Sequence, residues 1–317
     1  VDWIRVSAGT AHQLKLKEIK CDELPTTGYL MDHHRCKKSC AFCSQSSVSQ
    51  GPSHRLSRVT WPEFPLETLK EVLRGNHPLK RLCLQVTQYR GVLEETVEKI
   101  KKIKESSPLP LCISGGARSL EDVEKLLEAG VDKVSIAIDA VNPKIFAEIK
   151  KGDWFKVKEL ILTGAQKFPG RISTHVIAGL GETPREMVDF LHEVHNAKVS
   201  VALFAFTPIK GTPMEKVSPP DITYYRRVQL INYCYKEGIP LKVEFDNKGQ
   251  FSKIGENLED ILKIIGDGKA FQTSGCEHCN RPYYNEKPGK TMYNYPRPLK
   301  EEELLQAISE LNLKEFY

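Results

Sequence analysis

Short apolar runs alternate with longer amphipathic stretches along almost the whole of this 317-residue chain. Runs of four to eight apolar and β-branched residues bounded by turn signals read as strands. They fall at Thr27–Met31, Arg81–Thr87, Leu109–Ser114, Lys133–Ile138, Ile172–Ala178, Val199–Phe206, Leu241–Phe245 and Ala270–Thr273. Between them, apolar positions recur at helical spacing over Leu66–Arg74, Glu94–Glu105, Leu120–Ala129, Lys144–Ile149, Phe155–Lys167, Pro184–Asn196, Asp221–Glu237 and Asn257–Ile265. Cap residues punctuate these segments. Ser119 and Thr183 stand at helix starts, the latter followed by Pro184, while Gly130 and Gly238 stand where helices should stop.

Strands alternating with helices in this way predict one α/β domain, a TIM-type (β/α)8 barrel with parallel strands and right-handed crossovers. Two smaller α/β domains are the rival, yet no Pro/Gly/Ser-rich linker interrupts the alternation. The barrel is expected over 27–279, with an N-terminal extension over 1–26 and a C-terminal extension over 280–317. An amphipathic pattern over Glu301–Leu311 predicts a helix near the end of the chain. No internal repeat or low-complexity tract is evident.

Composition narrows the function classes. Lys plus Arg is 46 and Asp plus Glu is 41, a formal charge of +5. That mild excess comes without basic blocks interleaved with aromatics, so a nucleic-acid partner is not expected. No run of about eighteen apolar residues predicts a membrane span. The first twenty residues lack the apolar core of a secretory signal, and the chain is expected in the cytoplasm.

Nine cysteines change the picture more: Cys21, Cys36, Cys40, Cys43, Cys83, Cys112, Cys234, Cys276 and Cys279. An odd number in a chain expected to be cytosolic argues against a disulfide framework and for metal-binding or catalytic thiols. Cys36, Cys40 and Cys43 form a C-x3-C-x2-C cluster just after the first strand. Three thiolates on one loop can hold three corners of a cuboidal iron–sulfur cluster, leaving one iron open to a small chelating molecule. Phe42 would shield such a cluster from water. The competing reading is a zinc site completed by His33 or His34, although zinc sites more often use two separated pairs.

This spacing, with an aromatic before the last cysteine and a strand before the loop, resembles the signature of the radical S-adenosylmethionine superfamily. Ile177-Ala-Gly-Leu-Gly-Glu-Thr183 is similar to that family's fifth-strand motif, a backbone turn lying along the adenine. The resemblance implies a 4Fe–4S cluster with an open iron that binds the methionine end of S-adenosylmethionine. One electron then breaks the sulfonium bond and releases a 5′-deoxyadenosyl radical. By the same resemblance Ile177, Gly179 and Glu182 belong to the cofactor site, and Asp139 would touch the ribose. Ala137 stands where related proteins have asparagine, and Asp139 would also suit a helix cap beside Pro143.

Cys40-Ala-Phe-Cys43-Ser-Gln-Ser46 resembles biotin synthase and its relatives in particular. Cys83 and Cys112 match strand positions where biotin synthase holds its sulfur-donating cluster, but its third strand cysteine is Ser173 here. The resemblance therefore points to the pair Cys276 and Cys279, expected to face the same barrel mouth as the first cluster, as further ligands beside Cys83 and Cys112. A zinc knuckle or redox pair is the alternative for the C-x2-C loop. Small buried hydrophobes are the alternative for the strand cysteines. Cys21 and Cys234 are read as structural.

The segments Arg5–Ala11, Pro25–Met31, Cys279–Glu286 and Tyr293–Pro298 resemble the biotin synthase-like proteins that form a two-component lipoyl synthase. That resemblance implies sulfur insertion at C6 or C8 of an octanoyl chain on a lipoyl carrier domain. A sister component would treat the other carbon, and a ferredoxin or flavodoxin would donate electrons. Ordinary lipoyl synthase has a C-x4-C-x5-C cluster and a C-terminal Arg-Ser-Ser, both absent here. Tyr283, Tyr284, Tyr293 and Tyr295 either pack the tail or touch substrate. His175 is expected to be a satisfied core histidine, while Arg35 and Arg90 are candidates to neutralise cluster or carboxylate charge. The alternatives are a biotin synthase, a related rearrangement or maturation enzyme, and a zinc-stabilised nucleic-acid-binding module that leaves the Ile177–Thr183 motif without a role.

Overall fold

The computed structural model describes residues 2–287 and 289–317. Strands β1 (Trp3–Val6), β2 (Thr27–Asp32), β3 (Arg55–Leu56), β4 (Val59–Thr60) and β5 (Glu63–Pro65) come first. Then follow β6 (Arg81–Gln85), β7 (Leu111–Ser114), β8 (Lys133–Ser135), β9 (Ile172–Ala178) and β10 (Ser200–Ala205). The helices α1 (Ala8–Gln13), α2 (Leu66–Arg74), α3 (Val92–Lys104), α4 (Leu120–Glu128) and α5 (Pro143–Ile149) fall between them. They continue with α6 (Trp154–Lys167), α7 (Pro184–Asn196) and α8 (Ile222–Glu237). Thr183 and Glu186 close a reciprocal capping box at the start of α7, and Ser119 caps α4.

The strands form one eight-stranded, mostly parallel sheet of the expected TIM type, in the order β10-β9-β8-β7-β6-β2-β1-β5. From β2 to β10 every pairing is parallel; β1 pairs antiparallel with β2, and β5 antiparallel with β1. Alternation along each strand decides what faces the interior. Leu82, Leu84, Leu111, Ile113, Ile172 and Val176 are fully buried in the apolar core. Their neighbours Cys83, Gln85, Cys112, Ser114, Ser173 and His175 point into the barrel instead.

Two of the strand expectations are corrected. Leu241–Phe245 shortens to β11 (Val243–Phe245), which pairs with β12 (Phe251–Ile254) in a separate hairpin. Asp246 drives that reversal: its carboxylate accepts from the Lys248 and Gln250 N–H groups, and Gly249 takes a positive φ. Ala270–Thr273 is not a barrel strand; a 3-10 turn over Lys269–Phe271 replaces it after Gly266 and Gly268. The barrel fills those two places with β1 and β5. Helices α9 (Leu258–Ile265) and α10 (Glu301–Glu310) pack with β12 and α8 in a second apolar core. Among the described residues, no helix is long and apolar enough to cross a membrane.

Candidate functional site

Two sets of thiols occupy opposite ends of the barrel interior. The loop after β2 carries Cys36, Cys40 and Cys43 at the C-terminal ends of the strands, and Phe42 packs against the core beside them. Cys36 Sγ accepts from the Lys38 and Gln88 N–H groups at 3.4 and 3.3 Å. Burial pushes the Cys40 thiol up to about 11 and the Cys43 thiol up to about 12, reinforced by the neighbouring thiols and Asp139. Three thiolates cannot stand here together without a counter-charge. A metal cluster supplies one, and backbone N–H groups aimed at a cysteine sulfur suit a cluster ligand.

The second set lies at the other end, which corrects the expectation that both cysteine loops face one mouth. Thr26 and Thr27, at the start of β2, donate their hydroxyls to His278 O at 2.6 and 2.7 Å, and Arg81, at the start of β6, donates to Glu277 O at 3.1 Å. The Cys276–Cys279 loop thus closes the N-terminal ends of the strands. The missing eighth strand is the reason: a strand over Ala270–Thr273 would have carried the chain upward before the loop. The six residues of β2 separate the two ends by about 17 Å.

At this closed end four thiols converge. Cys83 and Cys112 are paired in register on β6 and β7, and Cys112 Sγ lies 3.4 Å from Cys276 Sγ. Cys279 Sγ lies 3.4 Å from the Tyr29 hydroxyl and accepts from Arg281 at 3.1 Å. Arg81 donates to Cys112 Sγ at 2.9 Å. The hydrogen bond from Cys112 pulls the Cys276 thiol down to about 6, helped by Lys133, Arg81 and Arg281, while Cys112 itself moves strongly upward. Burial raises Cys83. The Ser135 hydroxyl faces the same cavity without a hydrogen-bond partner. Four thiols, three cations that favour their anionic form and an orphaned hydroxyl fit a bound cluster.

A cavity of about 300 Å³ rises from these thiols, and one of about 180 Å³ lies beneath the Cys43 loop. Leu56, Gln85, His175, Phe204 and Tyr284 line both, so the two cavities adjoin, a passage partitioned by these side chains. The upper part is lined by Phe42, Cys43, Asp139 and Ile177. Asp139 pairs with Lys150 at 2.8 Å and caps no helix; Asn142 caps α5. Gly179 and Glu182 do not reach the passage wall. The Glu182 carboxylate accepts from the Gly179 and Leu180 N–H groups at 2.7 and 2.9 Å and from the Tyr224 hydroxyl at 2.6 Å, which shapes the turn after β9. Gly179 has φ +95°, and a Cβ there would meet Pro220 at 2.8 Å. Gly179→Ala therefore combines a left-handed backbone with a clash. Differential scanning fluorimetry is expected to show a midpoint about 4–8 °C lower.

His175 departs from the expected satisfied core histidine. Its ring sits at the junction of the two cavities, edge-on to Phe204 at 5.2 Å between centroids, without a side-chain hydrogen bond among the described residues. Burial holds its pKa down at about 4, partly offset by Asp139. The imidazole is therefore neutral near neutrality. With the folded value below the unfolded one, its stabilisation is full above about pH 6.5 and is lost as pH falls toward 4. Between about pH 7.5 and 5, urea unfolding should show the wild type losing about 2 kcal/mol more than His175→Gln.

The remaining expectations divide. Arg35 donates to Ser46 O at 3.4 Å and to Ser49 O, tying the thiol loop, whereas Arg90 is exposed. Tyr283 and Tyr284 line the passage; Tyr293 and Tyr295 pack the tail, the first donating to Pro220 O at 2.8 Å. Cys21 lines the thiol cavity, while Cys234 is buried in the second core. Arg281 belongs to the tail expected to line the mouth, whereas the sequence does not single out Arg81, Tyr29 and Gln85. Their signal was alternation, since Arg81 and Gln85 flank Cys83 on one face of β6. No three of the cysteines bring their sulfurs within 4.8 Å of one another, as a lone zinc ion would need; among the described residues only His33, His34 and Glu95 form so compact a set.

Residues 32–194, just over half of the sequence, match the radical SAM superfamily. The chain belongs to the radical S-adenosylmethionine superfamily. Its relatives include biotin synthases of Sulfurihydrogenibium sp., 28% identical over 183 residues, and Hydrogenobaculum sp., 30% identical over 190. The first alignment covers 56% of this chain and 54% of the relative, the second 58% and 56%. The chain thus spans about half the length of the curated relatives it matches. A methylornithine synthase structure superposes with a TM-score of 0.53 at 15% identity, covering 88% of this chain and 78% of its own, a likeness of fold. Membership of this superfamily implies a 4Fe–4S cluster and S-adenosylmethionine.

Proposed function

We propose that this chain is a radical sulfur-insertion enzyme, one component of a two-protein lipoyl synthase. Cys36, Cys40 and Cys43 would hold the 4Fe–4S cluster, with Phe42, Asp139 and Ile177 beside S-adenosylmethionine and the Glu182-held turn at Gly179 behind it. Cys83, Cys112, Cys276 and Cys279 would hold an auxiliary cluster. When bound, the first cluster supplies the electron that generates a carbon-centred radical, and the second supplies sulfide.

The observation that carries this reading is the passage itself, with one thiol set at each end and apolar walls between. A hydrogen-abstracting agent at one end and a sulfur donor at the other require the substrate carbon to lie between them. The chain's own residues do the positioning. Leu56 and Phe204 exclude water. Neutral His175 sits where hydrogen abstraction would take place, with no charge to oppose an alkyl chain. Arg81 and Arg281 stabilise sulfur anions at the closed end. Ile19, Cys21, Arg58 and Tyr283 line the wall against which a lysine-borne octanoyl chain would lie.

The test is an anaerobic incubation with octanoylated carrier domain, S-adenosylmethionine and reductant, read by the mass of the carrier. The expected product is the carrier heavier by one sulfur atom; 5′-deoxyadenosine without any gain in mass would overturn the reading. Dethiobiotin belongs in a parallel arm, because the similarity to biotin synthases favours that second reading. Ser173, in place of a strand cysteine, opposes it.

A further inference from the structure

Two histidines stand between β2 and the thiol loop, and the proposed reaction does not use them. Asp32 ends β2, His33 and His34 follow it, and Glu95 lies in the first turn of α3. His34 Nε2 is 3.2 Å from the Glu95 carboxylate, and the two imidazole rings are 3.8 Å apart between centroids. One ligand atom from each of His33, His34 and Glu95 falls within 4.8 Å of the other two, and no cysteine sulfur joins the set. The backbone that presents them is fixed. Arg5 donates to His33 O, and the Thr87 hydroxyl donates to His34 O at 2.9 Å. Tyr89 packs against the group, its ring 4.4 Å from that of His34.

Protein partners do not satisfy this group. His33 Nδ1 is buried without a hydrogen bond, and so is Oδ2 of Asp32, a residue with no exposed surface. Buried polar atoms of this kind call for a partner. Lys99 donates to Asp32 Oδ1 at 2.6 Å and to Glu95 Oε1 at 2.7 Å, so one ammonium links two carboxylates. That leaves one negative charge in excess beside two imidazoles. A simple ion pair between His34 and Glu95 would engage one imidazole and leave His33 unused.

We propose that His33, His34 and Glu95 form a separate metal site, outside the thiol loop, for a divalent transition ion of the zinc class. Two imidazoles and one carboxylate suit such an ion, whereas magnesium and calcium favour all-oxygen sets and cuprous ions favour thiolates. Zinc bonds of about 2.0–2.1 Å in a tetrahedron set ligand atoms about 3.3 Å apart, close to the present spacing of His34 and Glu95. Lys99 orients the Glu95 carboxylate from the second shell, and buried Asp32 offsets the lysine's charge. His34 and Glu95 are 40% and 39% exposed, so a fourth position would open to water. The ion would tie the stem of the thiol loop to the first turn of α3.

The test dialyses the anaerobically reconstituted full chain against zinc alone and counts zinc and iron per chain. The wild type should bind about one zinc in addition to its iron, and zinc should raise its melting midpoint. His34→Ala and the near-isosteric Glu95→Gln should each bind zinc at least about tenfold more weakly, with iron unchanged and no rise in midpoint. Zinc bound equally by both variants would assign the ion to thiols and overturn the proposal. A wild type that takes up no zinc would overturn it too. Variants that lose iron together with zinc would make the histidines part of the thiol-loop site, against the proposal. The readout is zinc lost in the variants, so it holds whether or not Cys36, Cys40 and Cys43 carry a cluster.

Discussion

Replacing both Cys276 and Cys279 by alanine is expected to halve the iron content of anaerobically reconstituted protein, from about eight irons per chain to about four, with acid-labile sulfide falling in parallel. The hydrogen bond from Cys112 and the nearby cations favour the Cys276 thiolate, and Cys279 anchors the opposite corner beside Tyr29 and Arg281. Without them Cys83 and Cys112 are two buried thiols on adjacent strands, too few to hold a cluster. The variant should still cleave S-adenosylmethionine to 5′-deoxyadenosine, because the upper set of ligands is untouched, but it should transfer no sulfur. Four irons in both proteins would remove the auxiliary cluster, and the sulfur-insertion reading with it.

Replacing Cys40 by alanine is expected to have the converse result. The Cys40 thiol sits between Cys36 and Cys43 in sequence, close to the Lys150–Asp139 pair, and alanine there offers no ligand atom. Loss of one of three ligands should abolish reductive cleavage of S-adenosylmethionine, measured as 5′-deoxyadenosine formed with dithionite as reductant. About four irons should remain, now assigned to the closed end. Residual cleavage within about tenfold of wild type would assign the cofactor cluster to other residues.

Much of the fold is legible in the sequence because local and tertiary preferences agree. Ile172–Ala178 and Pro184–Asn196 are found at their predicted boundaries: one is a β-branched run, the other is opened by Thr183 and Pro184. The barrel's last two strands were not legible. The apolar run ending at Phe245 meets a turn set by Asp246 and Gly249, and at this length local turn chemistry outweighs strand pattern. Trp3–Val6 and Glu63–Pro65 take their places in the sheet, although each is too short to show a period.

The thiol loops were legible as spacings, and their relation was not. Cys36, Cys40 and Cys43 announce themselves within eight residues. That Cys276 reaches Cys112 across 164 positions depends on which end of the barrel the loop closes, and this follows from the missing eighth strand. Glu182 lay in a recognisable motif, yet its carboxylate turned back on Gly179 and Leu180, since buried N–H groups need acceptors. His175 was read from strand context as core. Alternation places it with Ser173 and Ile177 on the inner face of β9, where the barrel holds a cavity rather than packing.

The most direct test of the account is the origin of the inserted sulfur. Protein reconstituted with heavy-isotope sulfide, freed of excess sulfide and given octanoylated carrier domain, S-adenosylmethionine and reductant should label the carrier in a single turnover, and the Cys276→Ala/Cys279→Ala variant should not. Labelled product that disappears in the variant places the sulfur donor at the closed end of the barrel. Unlabelled sulfur in the product, or equal labelling by both proteins, would contradict the two-ended barrel as the basis of the reaction.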